Sequence, residues 1–392
     1  MDSRFSFEVL CQSEDGARRG KLKTPHGTIE TPAFIFCGTK GTVKGLCAEQ
    51  LRSCGTQFVL ANTYHLHLRP GEDTVAALGG LHAMMDWHGP LLTDSGGFQI
   101  FSLGQGSVAQ EIKSHRTFNG PRTLIAIEED GALFRSYVDG SLRKLTPETA
   151  MAIQKKLGAD IVLPLDECTP YRVDKSYTAA SMARSHRWEM RSLDEFQRLN
   201  DGFQALYGII QGGIYGDLRG ESCEFVGAHN FFGQAIGGSL GGSSTEMEDV
   251  VSMVCEKKER TKPTHLLGIG SIPHIFHGVR NGIDSFDCVH PTRLARHGGA
   301  LLTNFKSDGR GHINLRNCRF ARDNSPIDSD CDCHSCKSAS RGYIHHLLKS
   351  GETLGGQLLC MHNVRFMNAL MERIRDAIGR GGTASVEELY LA

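Results

Sequence analysis

Gly282-Ile283-Asp284-Ser285-Phe286-Asp287-Cys288-Val289-His290-Pro291-Thr292-Arg293 is the stretch whose reading decides the fold. Ser285 to Val289 has the length and apolar content of an inner strand. Pro291 has no N–H to give to a ladder and ends it. Asp287 stands among Phe286, Cys288 and Val289, where a carboxylate is costly unless it is partnered or put to use. Arg293 and Arg296 follow within two turns. A carboxylate at a strand end beside two guanidiniums has the means to attack an electropositive carbon in an anionic substrate. The same residues also suit an ion pair that only braces the fold, and taken alone the stretch favours the brace.

Working outward, seven more apolar runs have the same design, each closed by a glycine-rich or polar end and followed by a helical pattern. They are Pro32 to Cys37, Phe58 to Ala61, Pro90 to Leu92, Asp160 to Leu165, Ala205 to Ile210, Gln234 to Ile236 and His265 to Ile269. Eight strand–helix units fit a closed (β/α)8 TIM barrel, a fold of about 250 residues. The 392 residues leave room for additions. Between the third and fourth runs, Leu133 to Leu145 reads as a hairpin turning on Asp139-Gly140. Phe5 to Cys11, Gly20 to Leu22 and Gly27 to Ile29 read as short strands lidding one end. The division is a barrel over 1–302 with an insertion at about 100–146, a metal-binding subdomain over 303–362, and a C-terminal helix over 363–392. A doubly wound open sheet is the competing fold, but no glycine-rich phosphate loop has the right context for it.

Among the helices, Thr146 caps Pro147 at the first helical position, Ala150, Ile153 and Leu157 share a face, and Gly158 stops the pattern. Tyr177 to Phe196 and Thr245 to Glu256 read as two more.

In such barrels the chemistry collects at the C-terminal strand ends. Those ends carry Asn62, Tyr64 and His65; Asp94-Ser95-Gly96-Gly97-Phe98-Gln99; Asp166, Glu167 and Cys168; Gln211-Gly212-Gly213; Gly237-Gly238-Ser239; Gly268 and Gly270; and Asp287. Any one of them suits a turn or a cap, as Asp94 would in an Asx-turn. Their convergence on one mouth argues for a site that takes a flat ligand. His65-Leu66-His67 would place two imidazoles on one strand face, as a metal-dependent barrel hydrolase would need.

A net charge of −1 gives no global attraction for nucleic acid, so an anionic partner must meet a local patch. Lys306, Arg310, Arg316, Arg319 and Arg322 supply the densest one. Met1-Asp2-Ser3-Arg4-Phe5 lacks the apolar core of a signal peptide, and no run reaches membrane-spanning length. Thirteen cysteines without a secretion signal read as reduced thiols in a cytoplasm, some of them metal ligands. Cys331-x-Cys333-x-x-Cys336 needs one more ligand for a closed structural zinc site, and His334, His345, His346 and His362 are all available. His362 would open a last helix with an apolar stripe of Val364, Met367, Met371, Ile374 and Ile378.

Several stretches together carry a family resemblance: Asn62-Thr63-Tyr64-His65-Leu66, Thr93-Asp94-Ser95-Gly96-Gly97-Phe98-Gln99, Gly208-Ile209-Ile210-Gln211-Gly212-Gly213, Ala235-Ile236-Gly237-Gly238, Phe286-Asp287-Cys288-Val289, Pro291-Thr292-Arg293, and the Cys331/Cys333/Cys336 cluster with His362. Through them nearly the whole chain resembles the tRNA-guanine transglycosylases, TIM barrels with a zinc subdomain. The family exchanges guanine at the first anticodon position of tRNA for queuine or its 7-aminomethyl-7-deazaguanine precursor.

The resemblance implies Asp287 as nucleophile and Asp94 as general acid/base. It implies that Asp166, Gln211 and the backbone of Gly238 read the base edge and that Phe98 stacks on it, with Ser95, Gln99, Leu267 and Gly268 also lining the base. Arg293 and Arg296 would meet the tRNA anticodon loop. One structural zinc would sit on Cys331, Cys333, Cys336 and His362. A cytoplasmic homodimer is expected. The family also includes catalytically silent tRNA-binding subunits, against which the presence of both Asp94 and Asp287 argues. Gly241 stands where bacterial members usually carry Val and eukaryotic ones Gly, which suggests room for queuine, whereas Cys168 matches the bacterial pattern.

Overall fold

The computed structural model describes residues 4–105, 123–171, 173–303 and 311–391. Sixteen strands are seen among them. The first three, β1 (Ser6–Gln12), β2 (Arg18–Thr24) and β3 (Gly27–Thr31), form a sheet in that order. A closed barrel follows from β4 (Ala33–Cys37), β5 (Val59–Ala61), β6 (Leu91–Thr93), β10 (Ile161–Val162), β11 (Ala205–Ile210), β12 (Gly233–Ile236), β13 (Thr264–Leu266) and β14 (Ser285–Asp287). Neighbours pair in parallel, as in Ser285↔Ala33, Phe36↔Val59, Ile161↔Leu92 and Ile209↔Ala235. Each barrel strand coincides with one of the eight apolar runs, so the expected TIM barrel is the observed fold. Strand β14 is shorter than its run because the end of the run leaves the ladder: Asp287 is the last residue of β14, and Cys288 already belongs to the turn.

The barrel strands are buried except for Cys37 at the end of β4, and helices follow them where caps permit. The Thr146 hydroxyl accepts from Thr149 N, Pro147 opens the helix Pro147–Leu157, and Gly158 closes it at φ 77°. The Asp174 side chain caps Lys175–Leu199, and Ser243 caps Ser244–Lys257. Between β6 and β10, β7 (Leu124–Glu128), β8 (Gly131–Arg135) and β9 (Leu142–Leu145) form an antiparallel sheet. Arg135 pairs with Leu142 across the expected turn. Strands β15 (Gly299–Leu301) and β16 (His312–Asn314) pair beyond the barrel.

The chain divides into two compact units. The first comprises Met1–Phe7, Lys23–Gly27 and Ala61–Leu267. Here Asp160, fully buried just before β10, accepts from Leu91 N and meets His26 Nδ1 at 2.8 Å. The second comprises Glu8–Leu22, Thr28–Leu60 and Gly268–Ala392. Here Arg18 forms a buried pair with Asp284, just before β14, with Nε 2.9 Å from Oδ1. The helix expected to open at His362 begins at Thr353 and runs to Ile378, so His362 lies in its body and the 362/363 border falls inside it. Its stripe of Val364, Met367, Met371, Ile374 and Ile378 is buried as expected.

Candidate active site and candidate metal centre

In the first unit, the polar ends of β5 and β6 form one hydrogen-bonded group and those of β10 and β11 another. Asp94 leaves β6 and accepts from Thr63 N at 2.8 Å, Gln99 Nε2 at 2.8 Å and Asn62 Nδ2. Three N–H donors on one half-buried carboxylate fix its orientation. Asp166, beyond β10, is buried and accepts from Gln211 Nε2 at 2.5 Å. Burial pushes the Asp166 carboxyl up to about 7, aided by the charges of Asp94 and Glu167 and opposed by the Gln211 hydrogen bond. Gln211 is 1 % exposed, yet its Oε1 is unpartnered. Gly238 has φ 71°, and a Cβ there would lie 2.3 Å from Gln211 Oε1, so a glycine is required beside that amide.

Phe98, the second residue of the helix Gly97–Gln105, is 44 % exposed and offers a ring face. Ser95 is buried and accepts from Gly97 N, so it shapes the turn. Leu267 is half-buried, and its N–H donates to Ile236 O.

In the second unit, Asp287 is 8 % exposed at the end of β14. Gly268 N–H donates to its Oδ1 at 2.7 Å, and Cys37 Sγ lies 3.7 Å from Oδ2. Gly268, expected at the base, thus holds the nucleophile candidate. Cys37 carried no signal in the sequence beyond closing a strand.

The helix His290–Arg296 follows at once. It presents Arg293 exposed and Arg296 half-buried, with Arg296 Nη1 donating to Thr292 O. Lys44 is pushed below the usual lysine value by burial and by the charges of Arg296, Lys40 and Arg293. Lys40 and Lys44 therefore extend the basic group of Arg293 and Arg296. Sequence reasoning missed them because they lie far from Arg293 in the chain. Of the other basic run, Lys306 and Arg310 lie outside the described residues.

The cysteine cluster chooses its histidine. Ligand atoms of Cys331, Cys333, Cys336 and His362 all lie within 4.8 Å of one another. His362 Nδ1 is 3.3 Å from Cys336 Sγ and 3.8 Å from Cys333 Sγ. A tetrahedral zinc with ordinary bond lengths separates such atoms by about 3.5 Å. His362 Nε2 lies 2.7 Å from Leu301 O, which can only accept, so the proton sits on Nε2 and the Nδ1 lone pair faces the thiols. His345, by contrast, is turned to Leu315 O.

The metal-hydrolase expectation fails on geometry. Thr63–Leu68 is a helix rather than a strand, so His65 and His67 diverge. His65 meets Tyr137 Oη at 2.9 Å and His67 meets Glu72 at 2.7 Å. A second group, His26, His82 and Asp160, brings its ligand atoms equally close. Its imidazoles are stacked, with centroids 3.5 Å apart and planes at 19°. In-plane lone pairs of stacked rings cannot meet at one ion, so this group is a shared-carboxylate brace.

Gly241 has φ 118°, and a Cβ would lie 2.6 Å from Glu246 Cβ. Glu246 itself accepts from Gly242 N and Tyr171 Oη. The glycine is demanded by this pinned turn, so the suggestion of extra room for a large base loses its footing.

A parallel barrel with carboxylates at its strand ends, together with a Cys3His cluster that could hold a metal ion, is the architecture of a barrel enzyme with a metal-binding subdomain. The chain belongs to the queuine tRNA-ribosyltransferase family, whose pattern it matches over residues 12–391. It is 44 % identical over 398 residues to the queuine tRNA-ribosyltransferase of Roseiflexus sp. (strain RS-1), covering 99 % of each chain. It is 45 % identical over 389 residues to that of Halothermothrix orenii, covering 99 % of this chain and 97 % of the relative. With the Desulforamulus reducens enzyme it shares 45 % over 376 residues, covering 96 % and 94 %. It is a tRNA-guanine transglycosylase by family. No helix among the described residues is long and apolar enough to cross a membrane.

Proposed function

We propose that the enzyme exchanges guanine at the wobble position of tRNA for queuine or its 7-aminomethyl-7-deazaguanine precursor, through a covalent tRNA–Asp287 intermediate. The observation that carries this is Asp287 itself, a buried strand-end carboxylate held by Gly268 N–H, at the start of the segment that carries Arg293 and Arg296. In the first displacement an Asp287 oxygen bonds the ribose C1′ as the glycosidic bond breaks. The departing base takes the bond's electron pair and a proton from Asp94. In the second, Asp94 takes a proton from the incoming base, whose nitrogen attacks C1′ and releases Asp287. Two inversions leave the sugar's configuration unchanged.

Asp166 accepts the N–H groups of the base edge, while Gln211 Nε2 and Gly238 N–H donate to its carbonyl. To do so the Gln211 amide must release Asp166. Phe98 stacks on the base once its nucleotide has left the anticodon stack. Arg293, Arg296, Lys40 and Lys44 meet anticodon phosphates.

The ion of the cluster is Zn2+, one per chain, on Cys331, Cys333, Cys336 and His362; with no position left open it would fold the segment rather than take part in the reaction. The homodimer rests on family resemblance, and light scattering of the purified enzyme decides it. The test of the reaction is exchange of labelled guanine into tRNA, with competition by the two candidate bases. Absence of exchange in a folded, zinc-loaded enzyme would overturn the proposal and leave the silent-subunit reading.

A further inference from the structure

Arg219 is 0 % exposed, in the middle of the first unit. A buried guanidinium ordinarily meets a carboxylate. This one instead donates to four backbone carbonyls: Nη1 to Ile210 O at 2.7 Å and Gly237 O at 2.9 Å, Nε to Gly213 O at 2.8 Å, and Nη2 to Ser239 O at 3.1 Å. Those carbonyls belong to two turns only, the one carrying Gln211 and the one carrying Gly238. Burial lowers its pKa to about 10, so it stays charged at neutral pH.

In a trans peptide the C=O and the following N–H point in opposite directions. Arg219 draws the Gly237 carbonyl toward itself, so the Gly238 N–H of the same peptide is turned away from it. The Ile210 carbonyl is drawn in the same way, and the Gln211 N–H is taken up by Ser222 Oγ at 3.0 Å. Gly212, at φ 124°, would put a Cβ 2.7 Å from Arg219 N, so the turn closes directly on this helix.

We infer that Arg219 is a positioning residue for base recognition, fixing the Gly238 N–H and the backbone that carries the Gln211 side chain, so that the two donate to a purine C6 carbonyl once the Gln211 amide has left Asp166. The inference rests on the assignment of Gln211 and Gly238 to the base edge. A rigid guanidinium fork reaches four carbonyls at once, whereas the ammonium of a lysine is a point charge with three donors.

The test is steady-state exchange by the zinc-loaded enzyme with Arg219→Lys. The KM for free guanine should rise roughly 10- to 100-fold, the range for losing hydrogen bonds to a charged donor. The KM for tRNA and kcat at saturating base should hold. Inhibition by 2-aminopurine, which lacks the C6 oxygen, should be little changed, whereas a general loosening of the site would weaken both bases alike.

Gln211→Ala is the companion variant. If it raises the guanine KM and Arg219→Lys does not, the inference about Arg219 alone is wrong. If Gln211→Ala has no effect, the base-edge assignment fails and takes the inference with it. Should Arg219→Lys not fold, hydrogen exchange of the wild type decides. Residues 208–214 and 235–241 should be protected without base and gain little on adding guanine. Fast exchange that guanine suppresses would show that the base, not Arg219, sets the turns.

Discussion

Asp166→Asn offers a test in which stability and function move in opposite directions. Burial raises the Asp166 carboxyl from 3.8 to about 7. In the unfolded chain the group loses its proton near the ordinary value, so between the two values the native state holds one proton more. Stability therefore falls as pH rises through that window and levels off above it. At 1.36 kcal/mol per unit, the titration costs the fold about 2 kcal/mol at pH ~5.5 and about 4 kcal/mol at pH ~8. Asparagine has the same shape and no charge to bury. Its stability relative to the wild type should thus improve by about 2 kcal/mol across this interval. Urea unfolding at the two pH values, read by near-UV circular dichroism with zinc present, measures the change. Activity should collapse at both, because an amide cannot accept the base N–H groups as a carboxylate does. A stability difference that is flat with pH would refute the argument that burial, and not a partner, governs this group.

Three further outcomes test the site. Asp287→Asn should lose both exchange and the protein–RNA adduct seen on a denaturing gel when wild-type enzyme is mixed with tRNA and base; full activity of that variant would end the covalent mechanism. Asp94→Asn should lower turnover by roughly 10²- to 10⁴-fold while sparing tRNA affinity, as expected for a lost general acid, and a wild-type rate would remove it from that role. Metal analysis should find one zinc per chain, lost in Cys333→Ser and kept in His67→Ala; an ion that departs with His67 would revive the hydrolase reading.

The barrel was legible because each inner strand is a short apolar run closed by a polar end, and the turn chemistry at Thr146, Gly158 and Asp139-Gly140 is local. What was not legible is long-range. His65-Leu66-His67 alternates like a strand, yet Asn62 ends β5 and the next six residues coil. Two polar residues around one leucine satisfy either period, so a three-residue pattern could not decide. Cys37 meets Asp287, and Lys40 and Lys44 meet Arg293 and Arg296, because β4 pairs with β14, and nothing within their own segment announces it. Arg219 carries no signal in the sequence, since its partners are backbone carbonyls that no side-chain pattern encodes. Gly241 misled for the opposite reason: a missing side chain was read as space when it answers to a positive φ.

The helix Thr353–Ile378 connects the metal cluster to the segment that follows Asp287. His362 holds the Leu301 carbonyl, and the next residue, Asn363, is fully buried. Asn363 Nδ2 donates to Pro291 O at 2.9 Å and Gly299 O at 3.1 Å, and its Oδ1 accepts from Leu301 N at 2.9 Å. Pro291 lies in the helix carrying Arg293 and Arg296. A metal that fixes His362 should thereby fix Asn363 and, through Pro291, the two arginines. Removing zinc with a chelator, or replacing Asn363 by Ala, should raise the KM for tRNA by roughly tenfold or more, since unpairing buried groups costs about 1–3 kcal/mol. Free base should be affected far less, because its proposed ligands Asp166, Gln211 and Gly238 belong to other strands. Competition binding with labelled guanine and with tRNA separates the two. If chelation weakens both ligands equally, zinc acts on the whole fold and this route from His362 to the arginines is not the connection that matters.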